Sequence, residues 1–333
     1  MTPSRPSRLR IASAHVLGRP PKRLDRNAER ARLLACIVET ICRAPEWAPL
    51  DALLLPAGFF RLDAQLGAHD ADRRAELLLV SEVGGACLAA ATRLGGGTGG
   101  LLVVGADTLP YAGFSGDQFM AAWSSAGVVG SARKLFPSHG DTWPKKGLPY
   151  LLYDRDADDA ARLIRLPSGG QALLCLCYDA FAFSELARGP TGSRAAMRYV
   201  GDLHGHRELS AAERTVMLER FDRLVRREAP EAALIAVHGF EQPGGETRWQ
   251  RHGIASASAG LGGGLAVGAA HYRHWLPDRD VLDHATLASV AVPKAHLREG
   301  LYRKARKATA SHALVVKIKG EPLLRAVVRL FEH

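Results

Sequence analysis

The chain has 333 residues, of which 47% are hydrophobic and 23% charged, with five cysteines and a formal net charge of +10. That composition excludes a disordered, collagen-like or disulfide-framed chain, because the apolar content suits a packed core and an odd, irregularly spaced set of cysteines predicts reduced thiols. The longest uncharged stretch, IASASAGLGGGLAVGAA (254–270), is built largely of Gly, Ser and Ala, so no membrane span is expected and the chain reads as cytoplasmic.

Residues 1–7 read as a basic arm. RLRIASAHVL (8–17) begins with an apolar run suited to a strand, and LDRNAERARLLACIVETIC (24–42) places Leu33, Leu34, Ile37, Val38 and Ile41 at helical spacing. LDALLLPAGFF (50–60) predicts a buried strand stopped by Pro56 and Gly58. AELLLVSEVGGACLAAATRLG (75–95) predicts one helix weakened at Gly84 and Gly85, followed by a strand in GGLLVVGADT (99–108). LGGGTGG (94–100) has the glycine spacing of a dinucleotide-binding fingerprint, but it precedes its strand instead of following one, so it reads as a loop.

Further along, LIRLPSGGQALLCLCYDA (163–180) predicts two strands turning at PSGG. SAAERTVMLERFDRLVRREA (210–229) predicts a helix whose start is a capping box between Ser210 and Glu213, and AALIAVHGF (232–240) returns to strand. Residues 188–209 and 239–253 read as loops. Val, Leu and Ala-rich strands that alternate with helices and lack a clean period of two predict a single α/β domain with its sheets covered by helices.

His204 and His206, and His271 and His274, have no third ligand at a defensible spacing, and the Cys175–Cys177 pair has no second cysteine pair; no metal and no cofactor is assigned. Lys and Arg are densest in 294–320. There a solvated basic surface outweighs nucleic-acid binding, which rests on charge alone.

LLCLCYDAFAFSE (173–185) is a strand running into a turn, which would expose a thiol at the carboxyl end of a sheet, where α/β folds commonly place their sites. Composition alone favours two small core cysteines. The segment resembles the nucleophile segment of the nitrilase superfamily of carbon-nitrogen hydrolases, in which a strand leads into Cys-Tyr-Asp and an aromatic-rich turn ending in Glu. WSSAGVVGSARKLFPSHGD (123–141) resembles that family's lysine segment, and LDALLLPAGFF its strand ending in Pro-Glu-Gly. The resemblance covers about residues 8–290, including Asn27 at the start of the first helix. It implies Cys177 as nucleophile with Cys175 as strand packing, Lys134 as the cation that stabilises developing charge, and the backbone N–H of Tyr178 as an oxyanion donor.

The sequence departs from the pattern at Ala57, which stands where the family has its general-base glutamate. A methyl group carries no proton, and loss of a positioned base typically costs about 10²–10⁴-fold in rate. Asp141 is the candidate substitute, with Asp63 and Glu82 less well placed.

The resemblance further implies a four-layer α-β-β-α sandwich over residues 8–293. Residues 294–333 are then a basic extension packed on the domain or at an interface between subunits of a homodimer or larger homo-oligomer. The expected activity is hydrolysis of a small amide or nitrile through a Cys thioester. The alternative is a catalytically silent protein of the same fold that binds a ligand or partner.

Overall fold

The computed structural model describes residues 8–64, 66, 69–110, 116–137, 153–184, 199–202, 205–239, 249–272, 289–291 and 306–333. The first half is β1 (Arg10–Leu17), α1 (Asn27–Arg43), β2 (Ala52–Leu54), β3 (Phe60–Leu62), α2 (Ala71–Val80), α3 (Gly84–Thr98), β4 (Leu101–Thr108), β5 (Gln118–Ser124) and β6 (Gly127–Arg133). The second half is β7 (Leu163–Arg165), β8 (Gln171–Leu176), β9 (Tyr199–Asp202), β10 (Gly205–Glu208), α4 (Ala211–Glu228), β11 (Ala232–Val237), α5 (Ala255–Gly260), β12 (Leu265–Tyr272), β13 (Ser289–Ala291), β14 (Arg306–Lys307), β15 (His312–Ile318) and β16 (Glu321–Glu332).

Two sheets result. One runs β6-β5-β4-β2-β1-β16-β15, with β3 continuing beside β4; the other runs β7-β8-β11-β12-β13-β14. They join at one corner, where Val16 and Leu17 of β1 pair in parallel with His271 and Tyr272 of β12. Strands β1, β2 and β4 of the first sheet and β8, β11 and β12 of the second are parallel to their neighbours within this set, so their carboxyl ends converge.

Side-chain alternation explains the layering. In β2 and the residue after it, Ala52 and Leu54 face one way and Leu53 and Leu55 the other; in β8, Ala172, Leu174 and Leu176 oppose Leu173 and Cys175. The first set in each case joins Val103, Met120, Ala122, Leu234, Ala236, Val267 and Phe331 in a core shared by both sheets. The second set meets α1 and α3 on the outside of the first sheet, and α4 and α5 on the outside of the second. A four-layer α-β-β-α sandwich follows, and it explains why the strands lack polar alternation: both faces of each central strand are buried.

Several local expectations change. The helix expected over 75–95 is two helices, α2 and α3, separated at Ser81–Val83. LGGGTGG is mainly the last turn of α3, and Gly99 closes it in the left-handed conformation (φ 81°) that a C-terminal cap requires. Residues 188–209 include the hairpin β9-β10, and 239–253 run into a π-helical turn, Trp249–Ile254.

Residues 312–332 are not an appendage beyond residue 293. They form β15 and β16, and β16 pairs along β1 from Arg10 to Val16. The expected capping box holds, with Ser210 N–H donating to Glu213 Oε2 at 2.8 Å and Glu213 N–H to Ser210 Oγ at 3.2 Å.

Because Phe331 is fully buried between the sheets, Phe331→Ala should cost about 3–5 kcal/mol in urea unfolding. Leu323 on the same strand is 72% exposed, and Leu323→Ala should stay within about 0.5 kcal/mol. Equal effects would mean that β16 is not part of the core.

Candidate functional site

The carboxyl ends of β2, β4, β8, β11 and β12 carry Ala57, Asp107, Cys177, His238 and His271, and β6 delivers Lys134 to the same region. β8 ends at Leu176, and the chain turns at Cys177 into a 3-10 segment, Cys177–Phe183. Cys177 has φ 49°, one of two non-glycine residues with positive φ among the described residues. A left-handed conformation costs a residue with a Cβ roughly 1–2 kcal/mol, and a sharp strand-to-helix turn of this kind projects its first side chain above the sheet edge. Cys175 remains in the strand, where burial and the nearby Asp179 push its thiol well above the ordinary cysteine range.

Asp179 holds this turn to the Lys134 segment. Its Oδ1 accepts from the backbone N–H groups of Leu135 and Phe136, each at 2.9 Å, and its Oδ2 accepts from Leu176 N–H at 3.1 Å. Burial pushes the carboxyl upward in pKa, while Arg162, at 3.7 Å, and the three N–H bonds oppose that shift. On the other side of Lys134, Arg133 is bound by Asp117 and by Asp156, the latter at 3.3 Å. The Lys134 side chain is buried, with Nζ 5.9 Å from the centroid of the Tyr178 ring. Tyr178 in turn stacks on Phe181 at 4.7 Å and meets Trp249 edge-on at 5.8 Å.

Ala57 is fully buried in the core between the sheets. The turn that carries it is fixed by Asn27, whose side chain accepts from Arg61 N–H at 2.9 Å and donates to Arg61 C=O at 2.6 Å. Gly58 is left-handed (φ 60°), and a Cβ there would lie 2.7 Å from Asp107 Oδ2. A carboxylate therefore does reach the Ala57–Gly58 turn, supplied by β4.

Asp107 Oδ1 lies 2.9 Å from His238 Nε2. Burial alone would lower the His238 pKa, but the charge and hydrogen bond of Asp107, joined by those of Cys177, raise it to about 10. His271 is buried beside the Ala57 backbone. Burial, then Arg30 and His238, drive its pKa well below the usual range against a weaker opposing contribution from the Ala57 backbone, so it is neutral.

Of the expected site residues, Cys177 and Tyr178 lie on the turn that Asp179 ties to the Lys134 segment, while Ala57 lies on the turn that Asp107 reaches. Asp141 lies outside the described residues, as do His204 and His274. Asp63 and Glu82 are exposed, with Asp63 N–H directed to Glu82 Oε1 at 3.3 Å. Among the described residues, no group of three or more His, Cys, Asp or Glu is arranged to hold a metal, and no single helix is long and apolar enough to cross a membrane. Sequence reasoning missed His238 and Asp107. The available signal was a polar residue at the end of an apolar parallel strand, in AVHG and VGADT.

No family model and no curated protein matches the chain. Among solved structures, it is similar to an amidase from Nesterenkonia sp. at 16% identity and a TM-score of 0.48, over 99% of this chain and 92% of that one. It is also similar to XC1258 from Xanthomonas campestris, described as a CN-hydrolase superfamily protein, at 12% identity and a TM-score of 0.45, over 79% and 76% of the two chains. A carbon-nitrogen hydrolase from Helicobacter pylori G27 follows at 11% identity and a TM-score of 0.40, over 79% and 73%.

Two predictions follow from the geometry. Asp179→Ala leaves three backbone N–H groups without their acceptor and Arg162 without its counter-charge, so thermal or urea unfolding should show a loss of at least about 3 kcal/mol. The His238 pKa is raised in the fold, so its contribution to stability is fully present below the free-imidazole pKa of about 6.5 and is lost as pH rises through about 10. His238→Gln should remove that part of the pH dependence, and identical pH–stability curves for variant and wild type would contradict it.

Proposed function

We propose that the chain is a divergent member of the nitrilase superfamily that hydrolyses a small, non-peptide amide or nitrile through a thioester on Cys177. The observation that carries this reading is the left-handed Cys177 at the carboxyl end of β8, tied through Asp179 to the segment presenting the buried Lys134. In this reading the Cys177 sulfur attacks the electrophilic carbon. The Lys134 ammonium and the Tyr178 backbone N–H stabilise the charge that develops on the substrate oxygen or nitrogen. Water then releases the acyl group.

A second reading, a ligand-binding protein without turnover, is supported by Ala57: a buried methyl at the expected base position performs no proton transfer. Thiol reactivity separates the two. With iodoacetamide near neutral pH, Cys177 should be alkylated at least about tenfold faster than the partly buried Cys36 and Cys42, and Lys134→Ala should slow it. Peptide mapping by mass spectrometry reads each site. A Cys177 that reacts no faster than Cys36 would remove the enzymatic reading, whereas a reactive Cys177 together with Cys177→Ser abolishing amide or nitrile hydrolysis would support it.

A further inference from the structure

Resting on Cys177 as the nucleophile, we propose that His238 and Asp107 perform the proton transfers for which Ala57 has no group, so that the site works as a Cys177–His238–Asp107 triad with Lys134 as a separate charge stabiliser. The placement comes from two sheets. β8 and β11 pair in parallel with Leu176 opposite Ala236, so Cys177 and His238 leave adjacent strands at nearly the same level. Asp107 comes from β4 in the other sheet and meets His238 Nε2 at 2.9 Å, through the space that Gly58 leaves beside it. The imidazole thus lies between a carboxylate and the nucleophilic sulfur, which is the order of base and orienting group that an activated thiol needs.

The charges around the imidazole agree with that order. Asp107 from β4 and Cys177 from the end of β8 both favour its protonated form. Among the described residues, His271 from β12 also faces it; burial keeps that ring neutral, and Arg30 of α1 adds positive charge beyond it. An imidazolium next to the sulfur favours the thiolate.

The cycle then balances for an amide. The Cys177 thiolate forms a C–S bond with the carbonyl carbon, and the carbonyl π electrons move to oxygen, facing Lys134. As the oxyanion collapses, the C–N bond breaks and the leaving nitrogen takes the proton from the His238 imidazolium, giving an amine and a thioester. Neutral His238 next takes a proton from water, the resulting hydroxide attacks the thioester, and the C–S bond breaks to release the carboxylic acid and restore the thiolate and imidazolium. Asp107 exchanges no proton in this cycle. It orients the ring and stabilises the imidazolium, so it is a positioning residue.

The test is the pH profile of iodoacetamide alkylation at Cys177 in the full-length protein. His238→Gln should slow alkylation of Cys177 near neutral pH at least about tenfold relative to the wild type, and the two should converge at alkaline pH. Asp107→Asn should act in the same direction with a smaller effect. If Cys177 is selectively alkylated but its profile is the same in both variants, the triad is wrong and the nucleophile reading stands; if Cys177 is not selective in the wild type, both fail. A measurement that does not depend on those variants folding is NMR titration of the His238 ring in wild type and Cys177→Ser. The His238 midpoint should fall when the sulfur is removed, and an unchanged midpoint would overturn the coupling.

Discussion

The structure around the site depends on one buried carboxylate. Asp179 accepts from the two N–H groups that follow Lys134 and from the N–H that precedes Cys177, so a single side chain sets the distance between the cation and the thiol. Without such an acceptor those N–H groups would be buried and unpaired, an arrangement proteins rarely tolerate. The strained backbone at Cys177 is tolerable for the same reason, since Asp179 over-determines the turn in which it sits.

That carboxylate belongs to a larger buried ionic group. Arg133 reaches Asp117 and Asp156, Arg162 reaches the backbone oxygens of Arg133 and Asp156, and Arg74 reaches Asp159 and Asp156. These contacts lie where β6 and the 153–162 segment come together. Burying so many charges is worthwhile only when each has partners; the gain is less in stability than in holding the region to one geometry. The core between the sheets is apolar by contrast, with alanines such as Ala52, Ala172 and Ala236 set among Leu, Val, Met and Phe side chains.

Within that frame the carboxylate near Ala57 has two possible sources in the chain, the turn after β2 and the end of β4. Gly58 leaves room for the second. With Asp107 at the end of β4, His238 lies between that carboxylate and Cys177. The aromatic group of Tyr178, Phe181 and Trp249 packs beside the Cys177 turn, with Lys134 Nζ 5.9 Å from the Tyr178 ring.

The sequence by itself determined the order and type of most elements, because helical spacing in α1 and α4, the Ser210 box and the apolar runs of β4, β8 and β11 are local signals. It also singled out Cys177, Lys134 and Ala57 through short motifs. Boundaries governed by tertiary packing were not legible: the glycines of 95–97 continue a helix because α3 packs between α1 and β4, and the basic C-terminal segment ends as two strands because β1 has an open edge that β16 fills. Only the tertiary structure decided the electrostatics of the site. Asp107 and His238 are 131 residues apart, each a single polar residue at a strand end, and no spacing rule relates positions that meet only when two separately wound sheets close on each other.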